Sequence, residues 1–300
     1  MIGARLWAGV LFLALTAMPA AAAPLKAVAT FSILADFVRQ VGGDRVEVAS
    51  LVGPNGDAHG FSPSPGDAKV LAAARVVVVN GLGFEGWIDR LVKASGTKAV
   101  VVTASKGVKA IEEDGHAHGH AHGDHALDPH AWQNVANADI YVANIRDGLI
   151  AADPEGRATY EANAAAYRER LSALDAELRT GLARIPEDRR RVITTHDAFG
   201  YFARAYGLRF IAPQGVSSES EATAKDVARI VRQIRREKIP AVFLENVADP
   251  RLMLQISRES GAKAGGRVFS DALSEPDGPA PAYLAMMRHN LKEFTAALAE

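Results

Sequence analysis

LKAVATFSILADFVRQVGGDRVEVASL, residues Leu25–Leu51, decides the fold. Leu25 to Thr30 is a short apolar run of strand length. Ile33 to Val41 places its apolar residues at helical spacing, and Val46 to Leu51 returns to β-branched residues in alternation. A strand, a helix and a strand in so few residues make a βαβ unit. Outward from it the rhythm continues: a helix over Asp67 to Ala74, a strand over Val76 to Asn80, an amphipathic helix over Phe84 to Lys93 and a strand over Ala99 to Thr103. Repeated βα units predict a parallel sheet covered by helices. A second set supplies strands at Val192 to Thr195, Arg209 to Ile211, Ala241 to Glu245 and Arg267 to Phe269. Its helices are expected at Asp226 to Glu237, Pro250 to Ser260 and Ala282 to Ala297.

Between the sets lies the most helical segment. Asp153-Pro154-Glu155 reads as an N-cap acid followed by a first-turn proline. Tyr160, Tyr167, Leu171, Leu174, Leu178 and Leu182 then recur near the helical repeat until Pro186. A helix of about thirty residues measures ~45 Å, long enough to run along two lobes; an ordinary surface helix of one domain has the same pattern. The fold class expected is α/β, two βα lobes with parallel-rich sheets joined by a long rigid helix, with a ligand site in the interlobe cleft.

At the N-terminus, Arg5 precedes the apolar run Leu6 to Met18, and Ala20 to Ala23 offer small residues for cleavage, the pattern of a secretory signal peptide. The organisation expected is a signal peptide over 1–23, an N-terminal lobe over 24–152, a linking helix over 153–186 and a C-terminal lobe over 187–300. The 300 residues carry a net charge of −1, and loss of Arg5 leaves −2. So balanced a charge offers no broad basic surface for nucleic acid. There is no cysteine, so disulfides, thiolate ligands and a thioether lipid anchor are all unavailable. A soluble exported protein is expected, and any metal must be held by His, Asp and Glu.

Nine histidines occur, five of them in the segment 115–125: His116, His118, His120, His122 and His125. His59 lies in the loop after the Val46 to Leu51 strand, His130 in Asp128-Pro129-His130-Ala131-Trp132, and His196 at the end of Val192 to Asp197. Asp271 occupies the corresponding position after Arg267 to Ser270. With both sheets pointing their carboxyl ends at the cleft, three imidazoles and one carboxylate converge. That donor set suits four-coordinate Zn²⁺, whereas Mn²⁺ favours more oxygen. Asp128 and Asp197 are candidates to orient ligating imidazoles, or equally to cap helices; Glu245, at a strand end, is a further cleft residue. The acids of Ser217 to Asp226 serve either the cleft or a helix N-terminus. His289, in the last helix, reads as a surface residue. The Gly- and Ala-rich 115–125 segment cannot build a core and reads as a mobile, accessory zinc-collecting loop.

These residues resemble the zinc-specific solute-binding proteins of metal ABC transporters, the cluster A-I group of ZnuA- and AztC-like proteins. The likeness rests on Asp57-Ala58-His59 with Pro63-Ser64-Pro65, the His-rich segment before Asp128-Pro129-His130-Ala131-Trp132, Thr195-His196-Asp197-Ala198-Phe199-Gly200-Tyr201-Phe202, and Ser270-Asp271-Ala272-Leu273-Ser274. It implies two lobes, a rigid connecting helix, and His59, His130, His196 and Asp271 as ligands to transported Zn²⁺. It also implies a periplasmic location and delivery by a monomer to an inner-membrane ABC permease, with a periplasmic zinc chaperone as a candidate partner. Manganese relatives usually carry Glu at the place of His196, which puts this chain on the zinc side. The rival readings are a zinc-dependent hydrolase, a manganese- or iron-binding receptor, and an adhesin of the same fold. Against the hydrolase, neither His-Glu-x-x-His nor Gly-x-Ser-x-Gly occurs.

Overall fold

The computed structural model describes residues 23–112, 127–218 and 222–299. The expected leader lies outside them except for Ala23, and so does the whole 115–125 segment. The first lobe is built from β1 (Leu25–Phe31), α1 (Ser32–Gly42), β2 (Val46–Val52), α2 (Pro65–Ala73), β3 (Val76–Val79), α3 (Ile88–Ser95) and β4 (Val100–Thr103). Its sheet is parallel throughout, in the order β2-β1-β3-β4. The four valines of β3 are all buried, as a central strand covered on both faces requires. The Pro63-Ser64-Pro65 motif starts α2: Ser64 and Asp67 form a reciprocal capping box with Pro65 in the first turn.

A short antiparallel pair follows, β5 (Ile111–Glu112) with β6 (Leu127–Asp128), and then α4 (Val135–Ala152) and α5 (Arg157–Leu182). The second lobe comprises β7 (Arg191–Ile193), α6 (Gly200–Tyr206), β8 (Arg209–Ile211), α7 (Ala224–Glu237), β9 (Ala241–Glu245), α8 (Arg251–Ser260), β10 (Lys263–Val268) and α9 (Tyr283–Leu298). Its parallel sheet has the order β10-β9-β7-β8. Two parallel-sheet lobes with a connecting helix are thus the architecture the sequence predicts.

The connecting helix, α5, has 26 residues and so measures about 39 Å. Its buried stripe, Tyr160, Ala164, Tyr167, Leu171, Leu174, Leu178 and Leu182, packs on α1 and α4 of the first lobe and on α6 and α9 of the second. The helix begins later than the Asp153 signal suggests, because Pro154–Gly156 form a separate 3₁₀ turn. Asp153 Oδ2 does not cap it; that oxygen accepts from the Tyr160 hydroxyl at 2.6 Å and Arg45 at 2.9 Å. β10 starts earlier than expected and bulges between Ala264 and Arg267. Gly265 makes the bulge possible, since a Cβ there would lie 2.6 Å from the Phe243 ring.

His289 is not the plain surface residue the sequence suggested. Its Nε2 donates to the Arg267 carbonyl at 2.8 Å and its ring packs edge-on against Phe269. The main apolar core is continuous through both lobes. Phe37 of α1 packs against Tyr141, Tyr167 and Tyr283, and Phe294 of α9 against Phe202, Phe210 and Phe243. Among the described residues no helix is long and apolar enough to cross a membrane.

Candidate metal centre

Three loops at strand ends and the segment after β6 meet between the lobes. His196 and Asp271 each stand three residues beyond a strand end, Ile193 and Val268, while His59 follows β2 by a longer loop and His130 follows β6 directly. One ligand atom from each of the four lies within 4.8 Å of all the others. His59 Nε2 is 3.2 Å from His130 Nε2 and 3.5 Å from Asp271 Oδ2. His130 Nε2 is 3.6 Å from Asp271 Oδ1, and His196 Nε2 is 3.1 Å from Asp271 Oδ2. An ion held at about 2.0–2.1 Å by four tetrahedral ligands sets them about 3.3–3.4 Å apart. Those four spacings bracket that edge, and the other ligand-atom pairs lie within 4.8 Å.

The imidazole tautomers follow from what faces the other ring nitrogens. Asp128 Oδ1 accepts from both the His130 N–H, at 2.9 Å, and the His130 ring, 2.8 Å from Nδ1. Glu245 Oε2 stands 2.6 Å from His196 Nδ1. The alignment there falls short of a straight hydrogen bond, but two lone pairs would not tolerate 2.6 Å, so Nδ1 carries the proton. In the neutral form that binds metal, His130 and His196 therefore turn Nε2 lone pairs towards Asp271, whose two buried oxygens have no straight hydrogen bond among the described residues. Lone pairs and a carboxylate converging in a buried place repel one another unless a cation sits among them.

Glu245, offered by the sequence only as a cleft residue at a strand end, is tied into the site by three contacts. The sheet order sets β7 beside β9, at the point where connections leave in opposite directions, the usual place for a ligand crevice. There Glu245 Oε1 accepts from the Thr195 N–H at 2.6 Å and the His196 N–H at 3.0 Å, while Oε2 faces the imidazole. Asp197 does not take this part: it is exposed and its N–H donates to Gly215. Asp226 caps α7 in a capping box with Thr223, which settles the helix-capping alternative for that acid; residues 219–221 lie outside the described residues.

His59 is held differently. Its backbone N–H donates to Asp57 Oδ1 at 2.9 Å, and its ring, 6 % exposed, meets Phe84 edge-on at 4.5 Å. Phe84 and Trp132 complete an apolar wall beside His130. Trp132 Nε1 and Gln133 Nε2 both donate to the Ser270 carbonyl, at 2.9 and 2.7 Å, and so fix the loop that presents Asp271. Burial alone would depress the His196 imidazole pKa, but Glu245 and Asp271 outweigh it and hold it well above the usual value. Burial would likewise raise Asp271; His196 and His130 instead hold it well below the ordinary carboxyl range. The five clustered histidines, His116 to His125, are outside the described residues.

A family model described as zinc-uptake complex component A, periplasmic, matches residues 27–297. The manganese-binding lipoprotein MntA of Halalkalibacterium halodurans is 34 % identical over 92 % of this chain and 89 % of its own length. The iron-binding protein YfeA of Yersinia pestis is 35 % identical, covering 87 % of this chain and 82 % of its own. Among solved structures, the periplasmic zinc-binding protein TroA from Treponema pallidum superposes with a TM-score of 0.85 at 28 % identity, over 92 % of this chain and all of that one.

Proposed function

The chain belongs to the zinc-uptake complex component A family, metal-binding receptors of ABC transporters rather than enzymes, and from that premise we propose that its cargo is Zn²⁺. The observation that carries this reading is the donor set: three imidazole nitrogens and a single carboxylate, buried together and nitrogen-rich. Zinc accepts that set without strain, whereas manganese favours an oxygen-rich, higher-coordinate site. In this reading His59, His130, His196 and Asp271 bind the ion. Asp128 and Glu245 orient two of the imidazoles, and the apolar wall excludes water.

The receptor works in the periplasm as a monomer, exported by the leader over 1–23. It captures Zn²⁺ there and hands it to the membrane permease, with a periplasmic zinc chaperone as a further partner. His116, His118, His120, His122 and His125 collect zinc transiently: neutral imidazoles at alternate positions share a metal weakly. The names of MntA and YfeA favour a second reading, a manganese or iron receptor. Metal analysis of protein purified without added metal, followed by competitive titration of Zn²⁺ against Mn²⁺ and Fe²⁺, separates the two. One equivalent of zinc that manganese cannot displace is expected. Preferential retention of manganese or iron would overturn the zinc assignment.

A further inference from the structure

The two imidazoles of the first lobe come from loops 71 residues apart in the chain, yet their Nε2 atoms stand 3.2 Å from each other. One connection, residues 80–87 between β3 and α3, touches both loops. Asn80 Nδ2 donates at 2.9 Å to the Pro129 carbonyl, immediately before His130, and Trp87 Nε1 donates at 2.8 Å to the Ala58 carbonyl, immediately before His59. Phe84, between them in sequence, meets the His59 ring edge-on at 4.5 Å and the His130 ring at 5.9 Å. The connection has an unusual backbone. Gly81, Leu82 and Gly83 take φ of +85°, +56° and +80°, and the left-handed region is disfavoured for leucine. What holds this shape is Glu85, which is 5 % exposed. Its Oε1 accepts from the Asn80 N–H and the Thr30 hydroxyl, both at 2.6 Å, and its Oε2 from the Gly81 N–H at 3.3 Å. Successive backbone N–H groups closing on a carboxylate form an anion nest. Asn80 is fully buried, and the Tyr141 hydroxyl donates to its Oδ1 at 2.6 Å. That bond decides which end of the amide faces Pro129.

We propose that Glu85 is a positioning residue for metal binding: by fixing the 80–87 connection it sets the separation of His59 from His130, although it touches neither ligand. A metal site works only when its ligands are held within about 0.5 Å of the required geometry by side chains that are themselves locked. Glu85 locks the backbone from which Asn80, Phe84 and Trp87 reach the two ligand loops. The second lobe carries a counterpart, since Glu245 also accepts from two successive backbone N–H groups, those of Thr195 and His196. There the glutamate faces the ligating ring itself; in the first lobe it works through the connection. The inference rests on the metal-receptor reading but not on the identity of the metal.

The test is competition of the full chain for Zn²⁺ against a chelator, joined to visible spectra of the Co²⁺-loaded protein and thermal unfolding of each metal-free variant. Glu85→Gln keeps one oxygen for Asn80 and Thr30 and turns its NH₂ on the Gly81 N–H, donor against donor, so it releases the connection at a single point. Zinc affinity is expected to fall about five- to tenfold, below the upper end of the 10–100-fold typical of a direct partner of a ligating imidazole. The Co²⁺ bands, intense in a four-coordinate site, should weaken and shift as an imidazole is displaced and water enters. Tyr141→Phe leaves the Asn80 amide free to turn away from Pro129; it should change affinity and bands in the same direction, and it serves if Glu85→Gln does not fold. A lowered melting temperature with wild-type zinc affinity and wild-type Co²⁺ bands in the folded variants means that the connection only supports the fold, and overturns the proposal. A wild-type chain that takes Mn²⁺ and not Zn²⁺ sinks the zinc assignment alone; the affinity comparison run with Mn²⁺ then decides the role of Glu85.

Discussion

Glu245→Gln should weaken zinc binding far more than Asp128→Asn, although both replace a carboxylate beside a ligating imidazole. Glu245 divides its work between two oxygens: Oε1 accepts from the Thr195 and His196 N–H groups, and Oε2 faces His196 Nδ1. Glutamine has one oxygen. Kept on the backbone donors, it turns its NH₂ towards Nδ1, forces the proton onto Nε2, and removes the lone pair that would bind metal. Turned the other way, it sets donor against donor at two backbone N–H groups, at about 1–3 kcal/mol for each group left unmade. Asp128 uses the single oxygen Oδ1 for both of its bonds to His130, so asparagine can keep both and loses only charge. Loss of a partner outside the ligand shell typically costs about 10–100-fold in metal affinity, or ~1.4–2.8 kcal/mol. Glu245→Gln is expected at or beyond the upper end and Asp128→Asn at or below the lower. The assay is competition for Zn²⁺ against a chelator of known affinity, with thermal unfolding of each metal-free variant to establish that it is folded. Equal losses for the two variants, or a larger loss for Asp128→Asn, would refute the tautomer argument.

Zinc should raise the melting temperature more at pH 8 than at pH 5.5. The raised pKa of folded His196 stabilises the metal-free protein fully below about 6.5, and that contribution is lost as pH rises through the folded value. The lowered pKa of Asp271 contributes above about 3.9 and is lost only as pH falls through its folded value. Zinc requires neutral imidazoles, so its gain grows where His196 gives up its proton; calorimetry showing equal gains at both pH values would contradict the three-imidazole site. Gly148→Ala should destabilise without touching zinc affinity, because a Cβ there would stand 2.2 Å from Val102 Cγ2. Overpacking of about 1–3 kcal/mol exceeds the ~1 kcal/mol helix-propensity gain, and a raised melting temperature would count against the close α4–β4 packing. Deleting residues 116–125 should slow zinc acquisition from dilute solution and leave equilibrium affinity unchanged. A weaker main site would make the segment structural.

The strand–helix rhythm was legible because period and β-branching are local signals. The valines of β3 and the leucine stripe of α5 announce themselves. β10 began earlier than its sequence suggests because Gly265 and Gly266 carry no strand preference, and only the Phe243 ring explains why glycine stands there. α6 is too short for a periodic signal. The histidines stood out by their rarity and by falling after strands, and Asp128 by its place two residues before His130. Glu245 gave no comparable sign, since a carboxylate ending a strand faces solvent as readily as a ligand. What gives it its place is the pairing of β7 with β9, a long-range fact absent from any stretch of sequence.

The apolar core that runs unbroken from α1 through α5 to α9 limits how the cargo can leave. Pulling the lobes apart would expose side chains such as Phe37 and Tyr283, whose rings meet across them, each costing about 1.5–3 kcal/mol. A dozen such side chains would exceed the ~5–15 kcal/mol that holds a whole domain folded. A wide-opening jaw is therefore closed to this protein. Whatever takes the ion must work at the rim, shifting a few residues around His59 while the body behind them stays a single solid piece.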